Sequence, residues 1–206
     1  MADIQHKDIP DSERHEPKGI SSASAETVYV ANGSGSGEWK TPETLTAGQG
    51  WGHYQHSLTG QVIDATYQRL EIDGLGANTE ESFLPREIRG NDSLWFGAVS
   101  QMTPITLGDS YDIRLDIPVT SETGTVNEVT IQLDIGTSVI APTIPIVTRF
   151  AAGGRTTPYV ISIAFPIFCL ATFVANGGRF FIKTDAGTAT LGSPAITIVR
   201  TFAGDS

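Results

Sequence analysis

Tyr111-Asp112-Ile113-Arg114-Leu115-Asp116-Ile117-Pro118-Val119 alternates strictly, with apolar residues at the odd positions and charged ones at 112, 114 and 116. That is the two-residue period of a half-buried strand and not the 3.6-residue period of a helix. Val129-Thr130-Ile131-Gln132-Leu133-Asp134-Ile135 repeats the pattern and stops at Gly136, and Ala195-Ile196-Thr197-Ile198-Val199-Arg200 is a third case. Tyr159 to Phe168 and Arg179 to Lys183 read as more buried strands, separated by the turn signal Asn176-Gly177-Gly178. Further strands fit Val62–Ile72, Leu94–Met102 and Thr143–Phe150. About eight short strands, divided by Gly, Pro and Asn and with no amphipathic helix among them, predict an all-β fold. The expected architecture is an antiparallel β-sandwich with the jelly-roll strand count, its strand order still open. Alternation assigns Tyr111, Ile113, Leu115, Ile117 and Val119 to the core, with Val129, Ile131 and Leu133. It puts Asp112, Asp116 and Asp134 on the solvated side.

Ahead of this body the pattern breaks down. Residues 1–20 read as an extended arm. Residues 21–58 read as a short strand at Thr27–Ala31, a Gly/Ser linker over 32–37 and an irregular connector. The sandwich is expected over 59–206. At 206 residues the chain accommodates one domain and an appendage.

Charge removes several functions from consideration. The net charge of −10 is spread over the chain: residues 1–58 carry four Lys/Arg against eight Asp/Glu, and residues 59–206 nine against fifteen. No basic tract exists to neutralise phosphates, so nucleic acid is not an expected partner. No run of about 18 apolar residues marks a membrane span, and the first residues lack a signal-peptide core. The expectation is a protein that stays in the cytoplasm where it is made, or is released from it by lysis, with no membrane partner.

Candidate chemistry is sparse. The single cysteine, Cys169, sits in the apolar run Phe165–Ala171 with no histidine after His56, so it reads as a small buried hydrophobe. His53-Tyr54-Gln55-His56 would place two imidazoles on one face of a helix, but no carboxylate or cysteine cluster accompanies it. No Gly-x-Ser-x-Gly elbow, phosphate loop or dinucleotide fingerprint occurs. No catalytic residue, cofactor or metal is assigned, and the chain is read as a non-enzyme. Short strands leave sheet edges and apolar surface to protect, and aromatics favour interfaces; Trp39, Trp51 and Trp95 are therefore the expected subunit contacts.

The arm is the densest signal. Residues 5–19 carry charge of both signs, are broken by Pro10 and Pro17 and hold almost no apolar group. Such a segment cannot bury enough surface to fold alone. Its prolines disfavour a helix, and it lacks the Gly/Ser composition of a loose linker. It suits an arm that orders on another protein, against the plainer alternative of a frayed terminus.

His6-x-Asp8-Ile9-Pro10-Asp11, His15-Glu16-Pro17-Lys18-Gly19 and the Val28-x-Val30-Ala31-Asn32-Gly33 turn leading to Trp39 resemble the N-terminal region of tailed-bacteriophage virion proteins, in particular head decoration (cement or head-fibre) proteins. The resemblance covers about 40 residues. The body resembles the jelly-roll or tumour-necrosis-factor-like trimerising domains of phage proteins in general pattern. The resemblance implies a homotrimer on the capsid surface of a virion, with residues 5–19 anchoring it to the major capsid protein. His6, Asp8, Pro10 and Asp11 belong to that anchor. Arg14, His15, Glu16 and Lys18 would make direct contact, and Pro17 and Gly19 would set the backbone path. The same kind of segment occurs in fibre proteins, so a tail-fibre or receptor-binding module recognising a host surface glycan is the alternative. A glycan-cleaving enzyme is the rival from another class.

Overall fold

The computed structural model describes residues 23–31, 36–40, 48–122, 124–136 and 148–204. Two units divide the chain, Met1–Ala47 and Gly48–Ser206.

In the first unit, β1 (Val28–Ala31) pairs antiparallel with β2 (Gly37–Lys40), with Tyr29 opposite Trp39. The two rings meet edge to face at 5.3 Å, a favourable geometry for their quadrupoles. The strand expected at Thr27–Ala31 is thus β1, and its partner β2 begins at Gly37, the last residue of the stretch expected as a linker. The arm residues 5–19 lie outside the described residues.

The second unit is built from twelve strands among the described residues. They are β3 (Gly50–Gln55), β4 (Gln61–Ile63), β5 (Gln68–Arg69), β6 (Trp95–Phe96), β7 (Gln101–Met102), β8 (Ser110–Ser121), β9 (Glu128–Asp134), β10 (Thr148–Ala151), β11 (Tyr159–Phe168), β12 (Arg179–Thr184), β13 (Ala189–Leu191) and β14 (Ala195–Phe202), with one helix, α1 (Ala171–Asn176), between β11 and β12. A six-stranded sheet runs β3-β14-β8-β13-β4, and β11 takes the other edge of β8. A four-stranded sheet runs β10-β9-β12-β5. Every pairing is antiparallel. The fold is an antiparallel, jelly-roll-like β-sandwich.

Alternation works where it was strict. Ile113, Leu115, Ile117 and Val119 of β8 are buried, as are Val129, Ile131 and Leu133 of β9, and all belong to one core with Phe180, Ile182, Ile196 and Ile198. The expected solvated side holds for β8 but not for β9. Asp134 is only 3% exposed, and its carboxylate accepts the N–H of Gly136. Thr130 and Gln132 are buried with it, so β9 is covered on both sides.

Four other expectations are corrected. The sheet does not begin at Thr59: β3, in the segment expected to be irregular, pairs with β14 from Gly50 to Gln55. The long strands expected over 62–72 and 94–102 are each two short ones, with a single 3-10 turn at Gly97–Val99 inside the second. The turn at Asn176-Gly177-Gly178 is not a hairpin but the end of α1, which carries the chain from one sheet to the other. Phe173 anchors that helix in the core. Gly177 ends it at φ +68°, where a Cβ would strike the Gln101 side chain and the Met102 carbonyl. Finally, Trp95 is 3% exposed and donates its indole N–H to the Ile72 carbonyl at 2.7 Å. It lies between the rings of Tyr54 and Phe180. It is a core residue, because only burial with a satisfied N–H suits a large ring there, and it cannot be a subunit contact.

Leu115→Asp is expected to cost on the order of 4 kcal/mol by burying an unpaired charge. Asp116→Asn, on the opposite face, should cost no more than about 1 kcal/mol. Urea unfolding of the two variants measures the contrast; equal losses would mean the strand faces are assigned the wrong way round.

Candidate functional site

Three clusters could carry function, and their wiring separates them. The first joins His56, Ser57 and Asp73. Ser57 donates its hydroxyl to the Asp73 carboxylate, and the Asp73 N–H donates to His56 Nδ1 at 3.1 Å. Partial burial opposes ionisation of Asp73, but the hydroxyl and N–H of Ser57 and the N–H of Leu75 outweigh it and hold the carboxyl below its usual range. A nucleophilic serine needs the imidazole on its own hydroxyl. Here the serine is bonded to the carboxylate, and the residues tie a turn together. His53 and His56 do not act as a pair. His53 lies on β3 with Nδ1 2.8 Å from the Thr197 hydroxyl, whereas His56 follows the strand and is buried. Three positions along a strand reverse the face, so the helical juxtaposition does not arise. No group of three or more His, Cys, Asp or Glu gathers to hold a metal among the described residues.

The second cluster is the buried one. Arg200 of β14 is 3% exposed and Asp109, just before β8, is 0% exposed. Arg200 Nη2 lies 2.5 Å from Asp109 Oδ1, and Nη1 bonds Glu87. Asp109 also accepts the Tyr111 hydroxyl at 2.6 Å and the N–H groups of Thr106 and Gly204. Burial works against the charge, but these donors overcome it and depress the carboxyl below its ordinary value. The same burial pushes the Tyr111 hydroxyl upward and lifts the Cys169 thiol to about 12. Cys169 is fully buried, an inert hydrophobe in place of a nucleophile. With Arg200 and Asp109 buried and paired, and Glu87 reaching Arg200 from the exposed side, this cluster fastens the end of β14 and Gly204 to the start of β8.

The third is the outward face of the six-stranded sheet. Register places Asp112, Arg114 and Asp116 in a row along β8, flanked by Pro166, Ala164 and Ser162 of β11 and by Val199, Thr197 and Ala195 of β14. Arg114 forks onto Asp116 at 2.9 and 3.2 Å, and Ser162 donates to the same carboxylate at 2.5 Å. Between these strands lies a depression of about 480 Å³, lined by Asp112, Arg114, Ala164, Pro166, Thr197 and Val199 among others. Trp51 of β3 stands opposite Val199 on the same face and stacks on the half-exposed Phe83 at 5.0 Å. At the end of the sheet Phe168 and Phe202 flank Ser110. No single residue here looked functional in the sequence except Trp51. The available signal was the run Tyr159–Phe168, which is apolar at both parities and so unlike the alternation of β8. Trp39 is half-buried in the separate hairpin.

No family model matches the chain, and no curated protein matches it. Among solved structures the chain is similar to PRD1 vertex protein P5, at 13% identity and a TM-score of 0.46 over 86% of this chain and 83% of that one. It is similar to Eiger TNF from S. frugiperda, at 11% identity and 0.48 over 77% and 96%. It is also similar to the tobacco streak virus coat protein, at 13% identity and 0.33 over 81% and 93%. All three likenesses are distant, and the fold assignment rests on the strand order and register described above.

Asp109→Ala should destabilise the sandwich by about 3 kcal/mol, because it removes the buried one of Arg200's two counter-charges and the acceptor of the Tyr111 hydroxyl. The pH dependence has a definite sign. The folded pKa of Asp109 is depressed, so its stabilisation is complete above the unfolded carboxyl value and is lost as pH falls through the folded one. Urea midpoints measured from pH 7 down to pH 3 should therefore fall more steeply for the wild type than for Asp109→Asn.

Proposed function

We propose that this protein is a structural component of a bacteriophage virion, a homotrimer that decorates the capsid and binds the major capsid protein through residues 5–19. The observation that carries the reading is the motif run between His6 and Trp39, which resembles head decoration proteins and falls in a unit distinct from the sandwich, divided from it between Ala47 and Gly48. The wiring of the sandwich's polar clusters favours scaffold over catalyst. The Ser57 hydroxyl serves Asp73, and the Arg200–Asp109 pair is buried.

The mechanism is stapling. Arms laid across neighbouring capsid subunits add charge pairs and buried area at seams that otherwise open under internal pressure. Three arms on one trimer raise the effective concentration of each, so weak contacts sum to a durable attachment. Trp39 and Trp51 remain the aromatic candidates for subunit contact. No helix among the described residues is long and apolar enough to cross a membrane.

Purified protein mixed with capsids lacking it and imaged by electron microscopy tests the reading. Density on the head surface supports decoration; density confined to tails, with loss of host adsorption on deletion, supports the fibre alternative. Removing residues 1–20 should leave the melting temperature and mass of the body unchanged and abolish capsid binding. If the truncated protein still decorates capsids at full occupancy, the arm is not the adhesive.

A further inference from the structure

We infer that copies of this chain associate through the outward face of the six-stranded sheet, centred on β8 and β11. The inference rests on the homo-oligomer in the reading above, and not on attachment to a capsid.

Strand β11 carries the argument. Its odd positions meet β8 over the core, and Ile161 and Ile167 are buried. Its even positions face outward, and four of the five are apolar: Val160, Ala164, Pro166 and Phe168. Val160 is 61% exposed and Phe168 69%. A strand apolar at both parities is the pattern of one covered on both faces, yet within a single chain one face of β11 is open.

The charges on this face point to a second copy as the cover. On β8, β11 and β14 they are Asp112, Arg114 and Asp116 alone. Arg114 and Asp116 neutralise each other through Nε and Nη2, which leaves the Nη1 end of Arg114 and the Asp112 carboxylate without partners among the described residues. The row therefore offers one donor and one acceptor two positions apart, so the donor of one copy meets the acceptor of the next, and head-to-tail contacts about a threefold axis satisfy both in every copy. Four strands across ten residues span about 19 Å by 33 Å, roughly 600 Å², the same order as the ~800 Å² that each partner buries in a standard interface. A glycan would call for several unpaired polar groups in the depression; this one is walled mainly by apolar and small side chains.

The test is the solution mass of the full chain by light scattering at micromolar concentration, with folding checked by circular dichroism. The variants are Ala164→Arg at the centre of the face, Asp112→Arg beside it, and Asn91→Arg on an exposed loop that belongs to none of the four strands of the face. The wild type and Asn91→Arg should run at the trimer mass. Ala164→Arg should run at the monomer mass, and Asp112→Arg should weaken association at least tenfold at low salt. Asp112 is exposed and outside the core, so its variant decides the matter if Ala164→Arg fails to fold. Folded face variants that keep the wild-type mass overturn the inference and leave the oligomer intact. A wild-type monomer overturns both. A dimer dissociated by these variants keeps the face and discards the threefold assembly. Unchanged mass with lost capsid binding would assign the face to the capsid protein and overturn self-association.

Discussion

Strand β8 sets the register of the larger sheet. Its twelve residues are paired on both edges, with β11 along ten positions on one side and with β14 and then β13 on the other. A slip of one residue would turn Ile113, Leu115 and Ile117 outward and drive Asp112, Arg114 and Asp116 into the core. Such a slip is closed by the cost of burying three charges. Pro118 is tolerated in the middle of this strand because of where it falls. Its carbonyl accepts the Gly192 N–H, so its nitrogen, which has no proton to give, points to the same edge, at the change-over between β14 and β13.

The same strand decides what the outward face can be. With β8 central and β11 at an edge, the polar row of one and the apolar row of the other are forced side by side. The Arg114–Asp116 fork keeps the polar row close to neutral, so covering it costs less than covering free charges would. An edge strand ten residues long and rich in apolar side chains is a hazard in a solitary chain. Pro166 removes one donor from it, and a partner on its face would remove much of the rest of the hazard.

The buried Arg200–Asp109 pair performs the complementary task at the end of the sheet. β14 carries a register irregularity between Arg200 and Phe202, where its pairing with β8 would otherwise loosen. There the chain substitutes ionic and backbone bonds for ladder regularity, and Asp109 collects donors from Thr106, Tyr111, Arg200 and Gly204. The cluster thus secures the last strand, and the burial of Arg200 and Asp109 commits both charges to that task.

By itself the sequence determined the fold class, the phase of β8 and β9 toward the core, and the inert setting of Cys169. Period-two alternation and an apolar neighbourhood are local properties, written in consecutive residues. Only the tertiary structure decided the rest. Trp95 reads as one of three subunit-contact aromatics until Tyr54, Phe180 and the Ile72 carbonyl enclose it. Asp134 alternates like Asp112, yet it is buried while Asp112 is not, because the covering of a sheet's second face depends on residues remote in the chain. The Arg200–Asp109 bond joins residues 91 positions apart, and no spacing rule reaches that far. The candidate face was half legible, as an apolar run at 159–168. That the run would lie at an open edge, beside a self-complementary row of charges, was settled by which strands β8 accepts on each side, and pairing between distant strands is a property of the whole sheet.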